Sequence, residues 1–288
     1  MATDRTNQQI KLKDGRMLGY AEYGAPEGKP VFYFHGWPGS RLEWLAFDAG
    51  GAVAAELNAR IISVDRPGIG LSDFKRDREI LDWPDDVIEL ADALQLDRFA
   101  VMGISGGGPY AAACAFKISG RLTATAIVAG QGPTEAPGVK DGIGWGLIGL
   151  SPEERRPMLM GLAHGIDEVM VESGMKQMYQ EGHPDRVAID QPGVLTALTN
   201  TWREAFRSGI DGVDQDAELF KRPWGFQLQD ITAEVHLWHG EPDLTVPVSV
   251  GRYVADAIPN CHATFFPDEG HISILRNHIR EILNVLVA

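Results

Sequence analysis

The sequence predicts an α/β protein: a mostly parallel, doubly wound sheet with a helical cap inserted in it. Three observations predict it. Short runs such as Val31-Phe32-Tyr33-Phe34 and Phe99-Ala100-Val101-Met102 are apolar throughout, as strands covered on both faces must be. Stretches of helical periodicity separate them, with Val87, Leu90, Ala91 and Leu94 at helical spacing between roughly 79 and 96. Between about Gln131 and Arg222 the alternation stops, and it resumes at Val235.

Taken in order, Ile10-Lys11-Leu12-Lys13, a turn at Asp14-Gly15 and Met17-Leu18-Gly19-Tyr20-Ala21 read as a hairpin. The strand at 31–34 ends in His35-Gly36-Trp37-Pro38-Gly39-Ser40-Arg41, and a helix is expected over roughly 43–58. Arg60-Ile61-Ile62-Ser63-Val64 runs into Asp65-Arg66-Pro67-Gly68-Ile69-Gly70-Leu71-Ser72. The strand at 99–102 enters Gly103-Ile104-Ser105-Gly106-Gly107-Gly108, a helix leaves from Pro109, and Ala124–Ala129 is the next strand. Residues 153–164, 166–181 and 194–208 read as helices, parted by turns such as Gly182-His183-Pro184. So long an interruption predicts a cap at 131–222 over a core built from 1–130 and 223–288. Val235–Asp243, a helix near 247–258, Ala263–His271 and a last helix near 272–287 complete the core.

At 288 residues and 44% hydrophobic, the chain can bury one large core. A net charge of −14, from 26 basic and 40 acidic residues, argues against a nucleic-acid surface and against anionic membranes. No apolar run approaches the roughly 18 residues of a membrane span. The opening Met1–Gln9 lacks the charged-then-apolar layout of a signal peptide, and Cys114 and Cys261 form no disulfide framework, so a cytoplasmic home is expected. No Cys/His cluster has metal-ligand spacing and no Gly-x-Gly-x-x-Gly follows the first strand, so neither a metal nor a cofactor is expected. The expected partner is a small-molecule substrate, and composition is silent on oligomeric state.

The chemistry centres on Ser105. A strand entering and a helix leaving Gly103–Gly108 would hold this serine on a very tight turn, with φ positive or nearly so. Glycines two before and two after it, at 103 and 107, would remove Cβ clashes. The helix N-terminus then aims free N–H groups at the hydroxyl. Alone, the same pattern also reads as a glycine-rich turn holding a phosphate. The choice rests on whether a base, an acid and an oxyanion hole follow in sensible order. Asp243 and His271 each come just after a strand.

The order Ser105, Asp243, His271, with this elbow, resembles the α/β-hydrolase fold. The resemblance covers nearly all of the chain outside the cap. It rests on His-Gly-x-Pro at 35–38, Asp-x-Pro-Gly-x-Gly-x-Ser at 65–72, Gly-x-Ser-x-Gly at 103–107, His-Gly-x-x-Asp at 239–243 and Gly-His at 270–271. It implies a serine hydrolase, esterase- or lactonase-like. Serine is a poor nucleophile at neutral pH and needs an imidazole to take and return its proton. His271 is the candidate base. His35 and His239 also end strands, but before glycines, where a side-chain bond to backbone is the expected role. His164, His183, His236, His262 and His278 have no partnered motif and are read as surface or packing residues. Asp243 would hold the His271 tautomer; Asp268 is too near in sequence, and Asp65 sits in a Pro-Gly turn that a carboxylate commonly caps.

The oxyanion hole is expected from the N–H groups of Gly106 and of Trp37, because Pro38 has none. The Trp37 indole would line the acyl pocket, and Trp145, Trp202 and the methionines of 158–178 are candidates for its apolar ceiling. Serine at 105 argues against epoxide hydrolases and haloalkane dehalogenases, which use aspartate. An intact elbow disfavours the cofactor-independent dioxygenases. Gly-Gly-Gly-Pro after the serine weakens a carbon–carbon bond hydrolase, and a prolyl aminopeptidase would need acidic cap residues such as Glu153, Glu154, Asp167, Glu168, Glu172 and Glu204 to hold an ammonium. A non-catalytic ligand-binding protein of this fold is the alternative from another class.

Overall fold

The computed structural model describes residues 5–288, so Met1–Asp4 of the opening stretch lie outside the described residues. Strands β1 (Gln8–Lys11) and β2 (Met17–Gly24) form the expected hairpin, with Gln8 opposite Tyr20. Strands β3 (Lys29–Phe34), β4 (Ala59–Val64), β5 (Phe99–Ile104), β6 (Leu122–Val128), β7 (Val235–Gly240) and β8 (Cys261–Phe266) run parallel to one another. The single sheet has the order β1-β2-β4-β3-β5-β6-β7-β8. From β3 the chain steps outward to β4 and then back across to β5. The order reverses there, and Phe34 lies opposite Gly103. The loops leaving β3 and β5 therefore emerge side by side, where a doubly wound sheet opens its crevice.

Side chains alternate between two apolar layers, as the strand pleat requires. Val31, Tyr33 and Met102 enter one layer, with Ala54 of helix α1 (Ala52–Glu56); Phe32, Phe34 and Val101 enter the other. Helices α2 (Trp83–Ala93) and α3 (Gly108–Lys117) cover the second layer through Val87, Leu90, Ala111 and Ala113. The helix expected over 43–58 is broken. Only short 3-10 turns at Glu43–Ala46 and Ala49–Gly51 precede α1, because Gly50 and Gly51 have left-handed φ of 69° and 74°. Asp48 then starts α1 afresh, accepting the N–H groups of Val53 and Ala54 at 2.9 and 3.0 Å.

Between β6 and β7 run α4 (Trp145–Ile148), α5 (Pro152–Gly165), α6 (Glu168–Met178), α7 (Pro184–Ile189), α8 (Val194–Ala205) and α9 (Asp211–Phe220). Ser151 starts α5 with a capping box: it accepts the Glu154 N–H, and the Glu154 carboxylate accepts the Ser151 N–H at 3.1 Å. Leu159, Val171, Met175 and Leu198 continue the first apolar layer. Helix α9 instead returns to the second, burying Ala217, Leu219 and Phe220. Helices α10 (Val248–Ala257) and α11 (Ser273–Leu286) close opposite faces, through Val254 and through Ile282 and Leu283. Among the described residues no helix is long and apolar enough to cross a membrane.

Candidate active site

Ser105 follows β5 on a 3-10 turn, Ser105–Gly107, that leads directly into α3, and its φ is +52°. A Cβ on Gly103 would lie 2.2 Å from the Gly107 carbonyl oxygen, and one on Gly107 would lie 2.1 Å from that of Phe34. The turn closes only because neither residue has a side chain.

Asp243 and His271 leave β7 and β8. His271 Nδ1 lies 2.8 Å from Asp243 Oδ2, with both side chains buried. Asp243 Oδ1 accepts the N–H groups of Thr245 and Val246 at 2.8 and 2.9 Å. His239 Nε2 is 2.8 Å from the Val246 carbonyl and 3.3 Å from Asp243 Oδ2, so its role includes the backbone bond expected of it. Burial opposes a charge on Asp243, but the His271 imidazole and the bonds from His239 and His271 outweigh it, holding the carboxyl well below its ordinary range. Burial likewise opposes an imidazolium at His271. Asp243, and beyond it Asp185 and Glu43, reverse that and raise its pKa.

Ser105 and His271 line one cavity of about 240 Å³. Among the described residues no hydrogen bond joins the two side chains. The cavity floor comes from the strand ends, and Leu147, Leu162, Met175, Leu198 and Trp202 supply apolar wall from the helices between β6 and β7. Of the expected ceiling residues Trp202 lines the cavity and Met175 and Met178 join it. Trp145 does not: its ring packs beside Ala136, Val139, Val246 and Val250. None of Glu153, Glu154, Asp167, Glu168, Glu172 and Glu204 lines it. Asp167 caps α6 through the Met170 N–H, Glu172 pairs with Lys176 and Glu204 with Arg41.

A Cβ on Gly106 would lie 2.9 Å from Trp37 Cβ and 3.3 Å from Trp37 N, so the two backbones face each other across the turn. The Trp37 indole lines the cavity, and its Nε1 donates to the Val213 carbonyl at 2.8 Å. Two buried groups hold this loop. Arg66 donates to the carbonyls of His35 and Gly36, and Glu43 Oε2 accepts the Gly36 N–H at 2.8 Å and the Tyr33 hydroxyl at 2.6 Å. Glu43 also lines the cavity, and burial raises its pKa against the partial relief of those two bonds. Sequence reasoning missed Glu43; the only signal is one carboxylate in the otherwise apolar stretch Leu42–Phe47.

The other singled-out groups have local roles. Asp65 accepts the N–H groups of Arg41 and Leu71 at 2.6 and 2.9 Å, as its turn suggested. His35 Nδ1 lies 2.9 Å from the Gly36 carbonyl, and Asp268 is exposed. His183, read as a surface or packing residue, instead reaches the Pro242 carbonyl at 3.0 Å.

The sheet reversal at β3, the turn after β5 and the groups following β7 and β8 define an α/β-hydrolase-fold protein. A family model described as the alpha/beta hydrolase fold matches residues 29–146. A bifunctional esterase/perhydrolase of Acinetobacter calcoaceticus is 23% identical over 265 residues, 91% of this chain and 92% of that protein. An alpha/beta hydrolase fold protein from Nakamurella multipartita superposes with a TM-score of 0.72 at 23% identity, covering 98% of this chain and 99% of the other. The enol-lactonase from Burkholderia xenovorans gives a TM-score of 0.70 at 18% identity, covering 98% and 100%. At these identities the structural likeness establishes the fold.

Proposed function

We propose that the protein is a serine hydrolase that cleaves a carboxylic ester or lactone of a small hydrophobic substrate through an acyl-serine intermediate. The observation that carries this reading is the His271–Asp243 pair opening, with Ser105, onto one apolar cavity. The helices over residues 131–222 act as the cap that makes the cavity's apolar wall and selects the substrate. The names of the esterase/perhydrolase and enol-lactonase relatives support the same reaction class. The two free thiols suit a reducing, cytoplasmic setting.

In this mechanism Ser105 Oγ attacks the carbonyl carbon while His271 Nε2 takes its proton. Asp243, bonded to Nδ1, fixes the tautomer and stabilises the imidazolium. The N–H groups of Gly106 and Trp37 hold the oxygen that becomes negative. Collapse expels the alcohol, which receives the proton from His271. Water then attacks the acyl-serine by the same route, releasing the acid and Ser105. For a lactone, the alcohol and the acid belong to one product molecule.

Turnover of aryl esters and simple lactones of graded acyl length, by wild type and Ser105→Ala, tests the reading. It requires hydrolysis that Ser105→Ala loses by at least a thousandfold, with medium-length apolar acyl groups preferred. Tight binding of these compounds without turnover would support a ligand-binding protein instead.

A further inference from the structure

The helical segment reaches the loops of both His271 and Asp243 at the start of α7. Asp185 is fully buried there, and its carboxylate accepts three backbone N–H groups from the loop that carries the histidine. His271 donates to Oδ2 at 2.9 Å; Ile272 and Ser273 donate to Oδ1 at 2.7 and 2.9 Å. Gly270 makes room for the approach, since a Cβ there would lie 2.4 Å from Oδ2. The same segment grips the loop of the acid. His183 Nε2 contacts the carbonyl of Pro242, the residue before Asp243, and its Nδ1 accepts the Asp185 N–H at 3.2 Å. Tyr179 stacks on His183, and its hydroxyl lies 2.7 Å from Thr245 Oγ1, whose own N–H bonds Asp243.

Capping a chain turn does not require a charge, because serine or asparagine does it at the surface. A fully buried carboxylate is costly unless its charge is used. This one is bonded to the backbone N–H of His271 itself, the residue that carries the imidazole. The charged groups around His271 are Asp243 on its Nδ1, Asp185 beneath its backbone and Glu43 across the cavity floor.

We propose that Asp185 is a positioning residue for His271, fixing the loop that presents the imidazole and placing a second negative charge under that residue's backbone. The proposal rests on His271 being the general base. It makes the helical segment part of the acid–base machinery as well as the pocket wall: a shift of α7 would move the base and change its charge environment together.

The test compares wild type with Asp185→Asn and Asp185→Ser, each checked for native circular dichroism. NMR titration of the His271 imidazole, assigned by its loss in His271→Gln, is read beside the pH profile of kcat/KM for an aryl ester. Both variants keep a capping oxygen and lose the charge. The His271 midpoint and the ascending kinetic limb should move together to lower pH, and kcat should fall at least tenfold at the plateau with KM little changed. A folded variant whose midpoint stays at the wild-type value overturns the proposal, as would loss of folding in both, which would leave Asp185 a purely architectural role. If wild type shows no Ser105-dependent turnover, the hydrolase reading fails, while the imidazole midpoint still reports on Asp185.

Discussion

Arg66 Nε and Asp216 Oδ2 lie 2.7 Å apart, and neither side chain reaches solvent. The pair ties α9 to the loop after β3, because the same guanidinium holds the carbonyls of His35 and Gly36. Asp216 Oδ1 also accepts the Tyr110 hydroxyl at 2.7 Å and an Arg78 donor. Removing the carboxylate strands two buried cations, so Asp216→Ala should cost about 3–5 kcal/mol in urea unfolding. The pH dependence follows from the same pair. Burial disfavours the charge on Asp216, but Arg66 and Arg78 more than offset this and lower its pKa to about 2. Its folded value lies below the unfolded value of about 3.9. The stability it contributes is therefore fully present above about pH 4 and lost as pH falls through about 2. Asp216→Asn should remove that part of the acid transition.

The turn at Ser105 makes a sharper prediction. Gly107→Ala puts a methyl 2.1 Å from the Phe34 carbonyl and Gly103→Ala puts one 2.2 Å from that of Gly107, backbone in both cases. Neither contact can relax by turning a side chain. Each variant should lose several kcal/mol, well beyond the roughly 1 kcal/mol typical of a point substitution, measured as a fall in Tm. Gly120→Ala, with nothing within 4 Å of the new Cβ, is the control that should stay near wild type.

In the proposed mechanism His271 sets the acid side of the activity profile. It must be neutral to accept the serine proton, and neighbouring carboxylates raise its pKa against burial. The ascending limb of kcat/KM should therefore lie above the ordinary imidazole value of about 6.5. Asp243→Asn removes the acceptor that fixes the tautomer and should lower kcat by about 10⁴ with KM little changed.

Glu43 offers a way to loosen the loop of Trp37 without touching Trp37. Glutamine at this position keeps one oxygen for the Gly36 N–H and the Tyr33 hydroxyl, whereas alanine leaves both buried donors unpartnered. Glu43→Ala should lose about 1–3 kcal/mol per stranded group and reduce kcat on the order of tenfold to a hundredfold. Glu43→Gln should stay close to wild type in unfolding. Equal loss in both would assign the effect to charge instead of to the loop.

What could be read from the chain and what could not divide along physical lines. Apolar runs such as 31–34 and 99–102 announce covered parallel strands because they are short and recur between stretches of helical periodicity. The glycines at 103 and 107 announce the tight turn because each replaces a backbone clash. The break before α1 was hidden: the apolar spacing over 43–58 continues through Gly50 and Gly51, and only their left-handed φ shows that no helix crosses them. Asp185 and Glu43 were hidden for a different reason. A lone acidic residue in sequence reads as surface, and its burial against the His271 loop or beneath Gly36 depends on contacts 86 and 7 residues away. Trp145 and Trp202 looked alike as cap tryptophans, yet only Trp202 faces the cavity, a choice made by how each short helix packs.

Whether Ser105 is an activated nucleophile is read most directly from intact mass after exposure to a fluorophosphonate, for wild type, Ser105→Ala and His271→Ala. One adduct is expected on wild type, none on Ser105→Ala and a much slower one on His271→Ala. Folded wild-type protein that takes up no adduct, or an adduct that persists in Ser105→Ala, would contradict an activated Ser105.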